Sequence, residues 1–401
     1  MKKLYPWLVC LSCLFVMFVV VGVSSNLLGL YFPYMQSELG FSDTQTSSMI
    51  TVRSLAAFLS AFFLVKYFKK FDVRMGFTYV LILNGLAFCI LAFSKNYILS
   101  LVSVTLFGIP ISLGSIYGVS MLLSRWFRTG VTTAVAISAC GSGVATTVLS
   151  PIITSVLESG GLKKGLLFAA GVCFAVALLV FIVIRNYPDQ LGMEPLAYGK
   201  PENTEKKAVA ATAVKTCPNQ IWLQLAVLLG CTVSVATTSH LSLLFKEMGY
   251  SAQGAAAAVS AMGIAIMVSK FVYGVLVDRF GGYKVNMICS IMGVAGELLL
   301  AFFCDKSFVV AVIGILMTCF GIIIASLGTP VLARDLYPEE KYSEVLKNMQ
   351  AYPMLGSILF GTVPGMIADA TGSYVPSYAA FSVLLFAAGV IYFFCYNKKV
   401  K

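Results

Sequence analysis

IMVSKFVYGVLVDRFGGYKV, residues 266–285, is an apolar run that one lysine interrupts and that a polar knot from Asp278 to Lys284 brings to an end. The composition of the chain says what surrounds that lysine. Its 401 residues are 59% hydrophobic and 11% charged, with a mean hydropathy of +0.90. Those values exclude an ordinary water-soluble domain and fit a multispanning membrane protein.

Outward from this stretch, apolar runs of roughly 20 residues recur, each long enough as a helix to cross about 30 Å of hydrocarbon. The expected spans are helix 1 at 6–32, helix 2 at 46–68, helix 3 at 76–94, helix 4 at 97–123, helix 5 at 130–157 and helix 6 at 165–186. Helix 7 follows at 219–245, helix 8 at 252–277, helix 9 at 285–304, helix 10 at 307–333, helix 11 at 345–368 and helix 12 at 374–396. The first run follows Lys2 and Lys3 as a signal peptide would, but it continues to Tyr31 and is read as a span. The fold class is therefore an all-α membrane protein of twelve transmembrane helices.

With both termini in the cytoplasm, most of the 28 Lys and Arg fall on the inner side, among them Lys66, Lys69, Lys70, Arg74, Arg125, Arg128, Arg279, Lys284 and Arg334. Lys95, Lys163, Lys164, Lys246 and Lys306 fall outside. This asymmetry sets orientation. The net charge of +11 then reports topology and contact with anionic lipid. Scattered over short loops with no basic arm, it gives no reason to expect a nucleic-acid partner. Cys89, Cys140, Cys231 and Cys319 lie in apolar spans, where cysteine acts as a small hydrophobe. The cysteines are not spaced as a four-ligand metal cluster, so no disulfide, metal or cofactor is expected.

The longest polar stretch, Arg185 to Gln220, divides the chain into a six-helix half at 1–186, a cytoplasmic linker at 187–218 and a second half at 219–401. The halves echo one another. LGFSDTQTS begins at Leu39 and MGYSAQGAA at Met248, and Gly40 stands as far before Lys69 as Gly249 before Asp278. An internal repeat of this kind is common in secondary transporters, with the substrate site near the midplane between the halves.

GVLVDRFGGYK, Gly274–Lys284, resembles the signature loop of the major facilitator superfamily, placed between helices 8 and 9. SRWFRTG at Ser124 with the following AISACGSGVATTVLSP, LYPEEKYSEVLKNMQAYPMLGSILFG at Leu336 and GMIADATGSY at Gly365 resemble its monocarboxylate-transporter-like and oxalate/formate-antiporter-like branch. The resemblance implies two pseudo-symmetric six-helix halves and transport of a small organic anion by alternating access. It also implies that Lys270, four residues before Gly274, holds the place of a carboxylate-binding arginine. Two positions depart from the pattern: Lys69 replaces the loop aspartate of the first half and Val65 its glycine. Helix 4 carries no charge in LVSVTLFGIPISLGSIYG, where many proton-coupled members have an arginine.

Lys270 lies about two turns before Asp278, roughly 12 Å above the cytoplasmic boundary. A charge at that depth costs on the order of 3 kcal/mol and should face a partner or a water-filled cavity. The competing reading is a lysine that snorkels to the headgroups or is held neutral. Other candidates for the substrate site are Arg53 in helix 2, which either lines the outer vestibule or pairs with Asp369, and His240, the single histidine. Asn26, Tyr31, Tyr117, Ser142, Gln350 and Tyr352 offer hydrogen bonds to a small ligand, though such residues also anchor interfaces and join helices. Glu297, in peripheral helix 9, is read as structural. Gly141 and Gly143 let helix 5 approach a neighbour, expected to be helix 8, and Pro151 bends it. In the signature loop, Gly274, Asp278, Arg279 and Gly282 form a conformational lock, with Asp278 set against a helix N-terminus in one state.

One midplane cation argues for one carboxylate, hence a monocarboxylate, since helix 11 offers no second cation after Lys347. Ile266 stands where proton-coupled members of the resembling branch carry an aspartate, so exchange against a counter-anion is expected ahead of proton symport. If protons are carried, Lys270 and His240 are the candidates. The alternatives are an exporter of apolar or aromatic compounds and a transporter-derived nutrient sensor. An enzyme is not expected, because no nucleophile, base or metal cluster is spaced for chemistry. The chain is expected to work as a monomer in a bacterial cytoplasmic membrane.

Overall fold

The computed structural model describes residues 4–114, 116–197 and 218–397. Ten of its helices are long and apolar enough to cross a membrane. One of these, Thr133–Val183, is two spans joined at Gly161, whose backbone (φ 73, ψ 179) leaves the helical region. Helix 2, Asp43–Ala61 continued by Leu64–Lys70, is more polar than the rest. Dividing the long helix and adding helix 2 gives the twelve spans of the sequence pattern.

Helix starts follow local chemistry. The first N–H groups of a helix have no partner within it, so a side-chain oxygen just upstream stabilises the start. Asp72 accepts from Met75 N (2.8 Å) ahead of helix 3, Val73–Phe93. Asn96 accepts from Leu99 N (2.9 Å) ahead of helix 4, which begins at Tyr97. Ser251 accepts from Gly254 N (3.1 Å) ahead of helix 8, Ala252–Phe280. Each cap lies in the short polar joint between two apolar runs, which is why the sequence places these boundaries well.

Helix 11 departs from expectation. Its polar first part forms a separate helix, Glu339–Gln350, and the membrane-capable part runs Tyr352–Thr371 with an interruption at Gly361 and Thr362. Pro353 and Pro364 cause the divisions. Each lacks an N–H and fits only the first turn of a new helix.

The chain forms two compact units: Met1–Leu39 with Leu55–Thr204, and Gly40–Ser54 with Glu205–Lys401. In the first, helix 1 (Tyr5–Leu30) contains a wide π-helical stretch, Phe18–Asn26. Ser24 Oγ there reaches back to Val19 O (3.2 Å) and across to Asn84 Oδ1 of helix 3 (2.9 Å). Helix 5 lies directly on helix 1. A Cβ at Gly141 would stand 2.0 Å from Leu14 O, so this glycine's neighbour is helix 1 rather than the expected helix 8. Most of the 187–218 linker lies outside the described residues; Leu196–Ala197 pairs in parallel with Phe127–Thr129.

In the second unit, Leu223, Val227, Tyr273, Val277, Ile323 and Tyr392 share one buried cluster drawn from helices 7, 8, 10 and 12. A buried polar relay runs beside it. Tyr273 OH donates to Asn286 Oδ1 (2.8 Å), Asn286 Nδ2 to Tyr396 OH (3.4 Å), and Tyr396 OH to Asp335 Oδ2 (3.2 Å). Large apolar side chains such as Ile98, Phe271, Ile291 and Phe394 point outward, the arrangement a bilayer solvates and water does not.

Candidate functional site

Lys270 projects from a helix whose faces differ sharply. Met262, Ile266, Ser269, Tyr273 and Val277 are buried, whereas Ile264, Val268, Phe271 and Val275 are exposed. At 100° per residue Lys270 falls on the border of the buried stripe, about a quarter turn from the exposed one, and is half-buried. Glu297 is fully buried. Its Oε1 accepts from Thr237 Oγ1 of helix 7 (2.7 Å), while Oε2 has no hydrogen-bond partner. Thr237 and Glu297 thus form a buried polar pair that joins helices 7 and 9.

A second constellation gathers around the start of helix 2. Ser42 and Gln45 form a reciprocal capping box, with Ser42 N bonded to Gln45 Oε1 (3.0 Å) and Gln45 N to Ser42 Oγ (3.2 Å). The two N–H groups left over, on Asp43 and Thr44, donate to the carboxylate of Asp369 at 3.0 and 2.9 Å. Negative charge at a helix N-terminus also meets the positive end of its dipole. Tyr374 OH donates to Asp43 Oδ1 (2.6 Å) and Tyr374 N to Glu247 Oε2 (2.7 Å). Further along, Thr51 Oγ1 bonds Thr362 Oγ1 (2.8 Å), and a Cβ at Gly365 would stand 2.1 Å from Asp43 O. Helix 2 is thereby latched along Gly40–Ser54 to helices 7 and 11 and to the start of helix 12.

His240 belongs to this latch. It is fully buried, with Nδ1 3.1 Å from Val235 O, Nε2 2.9 Å from Ser47 Oγ and its ring 5.6 Å from that of Tyr374. A carbonyl only accepts, so Nδ1 carries hydrogen and donates to Val235 O, while Nε2 shares a hydrogen bond with the Ser47 hydroxyl. Arg53 is buried in the same helix. Its expected pairing with Asp369 gives way to the backbone cap. Ten residues of helix separate Arg53 from Asp43, roughly 15 Å, beyond an arginine's reach.

Among the remaining candidates, Asn26, Ser142 and Tyr352 have hydrogen-bond partners within the protein. Asn26 Nδ2 donates to Thr146 Oγ1 of helix 5 (3.1 Å). Tyr31 is fully buried, 6.2 Å from the ring of Phe88 in helix 3, and its hydroxyl has no hydrogen-bond partner. Ser142 Oγ returns to Ala139 O (3.2 Å), and Tyr352 OH donates to Gln224 Oε1 of helix 7 (3.0 Å). The side chains of Tyr117 and Gln350 lie outside the described residues.

In the signature loop, Asp278 and Arg279 are exposed, Arg279 lies 5.3 Å from the ring of Phe280, and nothing stands near the Cβ position of Gly274. The carboxylate at the start of helix 9 is Asp335, from helix 10. Its Oδ2 stands 2.0 Å from where a Gly282 Cβ would be, and Arg334 flanks it at 3.7 Å. Asp278 does not fill that place in this structure, and sequence reasoning missed Asp335. The available signal was an acid in ARDLYPEE close behind the apolar run of helix 10.

Replacing Asp369 by Ala removes both bonds to the helix 2 start, a loss of about 1–2 kcal/mol. Hydrogen exchange over Gly40–Ser54 is expected to quicken roughly fivefold or more, with Asp369→Asn in between. Unchanged exchange in Asp369→Ala would remove the latch from the account.

Three solved structures share this fold. A nucleoside transporter, NupG, is 14% identical with a TM-score of 0.74, covering 98% of this chain and 100% of its own. A D-xylose-proton symporter is 12% identical with a TM-score of 0.74, covering 100% and 98%. A bacterial homologue of the human lysosomal transporter Spinster is 14% identical with a TM-score of 0.72, covering 100% and 98%. No curated protein matches the sequence. The Major Facilitator Superfamily model matches residues 14–346 and again 241–401, so both halves carry the family pattern. With ten described helices long and apolar enough to cross a membrane and a family model that spans both halves, this chain belongs to the major facilitator superfamily and is a multi-pass membrane transporter, not an enzyme.

Proposed function

We propose that the chain moves a small organic anion, a monocarboxylate, by alternating access, exchanging it for a counter-anion. The observation that carries this reading is Lys270, a cation half-buried on helix 8 beside the buried Ile266, Ser269 and Tyr273. An ammonium in such surroundings supplies a charge-assisted bond to a carboxylate that is worth far more than in water. The halves at 1–186 and 219–401 act as the moving parts, joined by the linker at 187–218. Both termini face the cytoplasm, the helix 2 latch faces outward, and the functional unit is a monomer. His240 and Arg53 lie in or beside the latch and serve gating more than ligand contact.

Proteoliposomes test this directly. Preloaded with an unlabelled monocarboxylate, they are expected to accumulate the labelled compound transiently, and a thermal-shift screen over small carboxylates selects the one to use. An inward pH gradient with the membrane potential clamped is expected to drive no uphill uptake. Uphill uptake under the gradient alone would refute exchange, and its loss in His240→Ala would then identify the carrier.

A further inference from the structure

We infer that Glu297 is a proton-binding site inside the second unit, and that release of its proton loosens the outer segment of helix 7. Glu297 is fully buried on helix 9, Gly282–Phe303. Thr237 donates to its Oε1 at 2.7 Å, and Oε2 has no hydrogen-bond partner. Among the described residues no cation forms an ion pair with it. A bare carboxylate there would carry an uncompensated charge inside a bilayer span, so the occupant that cancels it must be positive.

Geometry favours a proton over a metal ion. A hard metal ion needs about six oxygen ligands, and among the described residues no group of three or more His, Cys, Asp or Glu could hold one. The neighbourhood is also tightly closed. A Cβ at Gly296 would stand 2.4 Å from Thr318 N and 2.8 Å from Gly314 O, so helices 9 and 10 meet backbone to backbone beside the acid. A proton needs no cavity, and Thr318 Oγ1 is an uncommitted buried hydroxyl on the facing helix. Of the titratable groups on the surrounding helices, Cys319 of helix 10 and Tyr378 of helix 12 are fully buried, and Lys270 of helix 8 is half-buried. On helix 7, His240 turns to Ser47, and Glu247 is bonded by Ser373 and Tyr374. On helix 9 itself, Cys289 and Cys304 stand about two turns away. None of these bonds Glu297.

Thr237 lies on Thr232–Glu247, which a break at Cys231 separates from Gln220–Gly230. The same segment carries His240 and Glu247 of the helix 2 latch. With the proton bound, Glu297 is neutral and its bond from Thr237 closes a dry interior. When the proton passes to water, the carboxylate draws solvent toward itself and the segment gives way at Thr237. The proton thereby tunes the latch. At equal pH on both sides it drives no uphill uptake, and this inference stands whatever substrate the chain carries.

Infrared difference spectra of the full chain in phosphatidylcholine vesicles, taken across a pH titration, read the C=O stretch of a protonated carboxyl. Subtraction of Glu297→Gln, which keeps the size and stays neutral, assigns the band to Glu297. The band is expected at low pH and is expected to vanish as pH rises. Hydrogen exchange over Thr232–Glu247 should then be about fivefold faster in the unmodified chain than in Glu297→Gln at the same pH, the equivalent of one lost hydrogen bond. Thr237→Val should shift the band, because the carboxyl loses a donor, and abolish the proton's effect on exchange. Four results would each overturn the assignment: no band from Glu297, a band that persists at every pH at which the protein is folded, equal exchange in the two chains once the band is gone, or loss of the band on adding sodium at constant pH.

Discussion

Lys270→Gln is expected to lower anion counterflow about a hundredfold or more while the protein still inserts and folds. The reason is asymmetry between the two partners. Glutamine fills similar space and still donates a hydrogen bond, but a carboxylate entering a poorly solvated site then arrives without a compensating charge. Losing one member of a desolvated charge pair costs about 2–5 kcal/mol, and each 1.4 kcal/mol is tenfold. Lys270→Arg keeps the charge and is expected to retain part of the activity. The measurement is initial counterflow rate normalised to reconstituted protein. A wild-type rate in Lys270→Gln would sink the anion site and leave the exporter of apolar or aromatic compounds as the better account of the fold.

The second large effect is structural. Gly141→Ala places a methyl 2.0 Å from the Leu14 carbonyl oxygen, where helix 5 lies backbone to backbone on helix 1. Neither atom belongs to a side chain that could rotate away, so the helices must part by about an ångström and lose contacts on both sides. Overpacking of this kind costs about 1–3 kcal/mol, and the rigidity of both partners puts Gly141 at the upper end. Gly171→Ala is the control. No atom lies within 4 Å of its Cβ position, so stability should hold or rise slightly. Thermal denaturation in detergent compares the two, and similar melting temperatures would show that the helix 1 contact yields easily.

The same pair of helices shows where the sequence was legible. Glycine, serine and alanine around Cys140–Pro151 announce a close helical approach, because only small side chains permit one. They do not name the partner. That choice depends on packing of the whole six-helix unit, and at Gly141 the neighbour is helix 1. Span positions were readable from apolar length, since the bilayer imposes one scale on every crossing. The exception, helix 11, is cut by Pro353 and Pro364, visible letters whose local effect outweighed average hydropathy.

Charged residues were harder. Asp369 is visible in the sequence as one of two alternatives for Arg53, whereas the structure gives it two backbone N–H groups. Backbone donors leave no trace in composition, so only the cap-forming SDTQ at Ser42 hinted at a helix start needing acceptors. Asp335 escaped notice for a related reason: its relation to Gly282 joins segments far apart in the chain. Asn26, Tyr31 and Ser142 have the chemistry of ligand contacts, yet each is engaged in or buried against its own unit. Lys270 remains the candidate whose position, on the border of a buried stripe, suits a ligand.

Gly161 carries a consequence for biosynthesis. The turn between helices 5 and 6 is a single residue at positive φ, and Leu162 N next to it is held by Glu38 Oε1 at 2.8 Å. With no loop to pause in, the two segments must leave the insertion machinery together as a hairpin, and neither can settle at its own depth first. A reporter or epitope spliced there would break the Glu38 bond and prise apart both segments, so mapping of membrane sidedness should use the longer Arg185–Gln220 stretch instead.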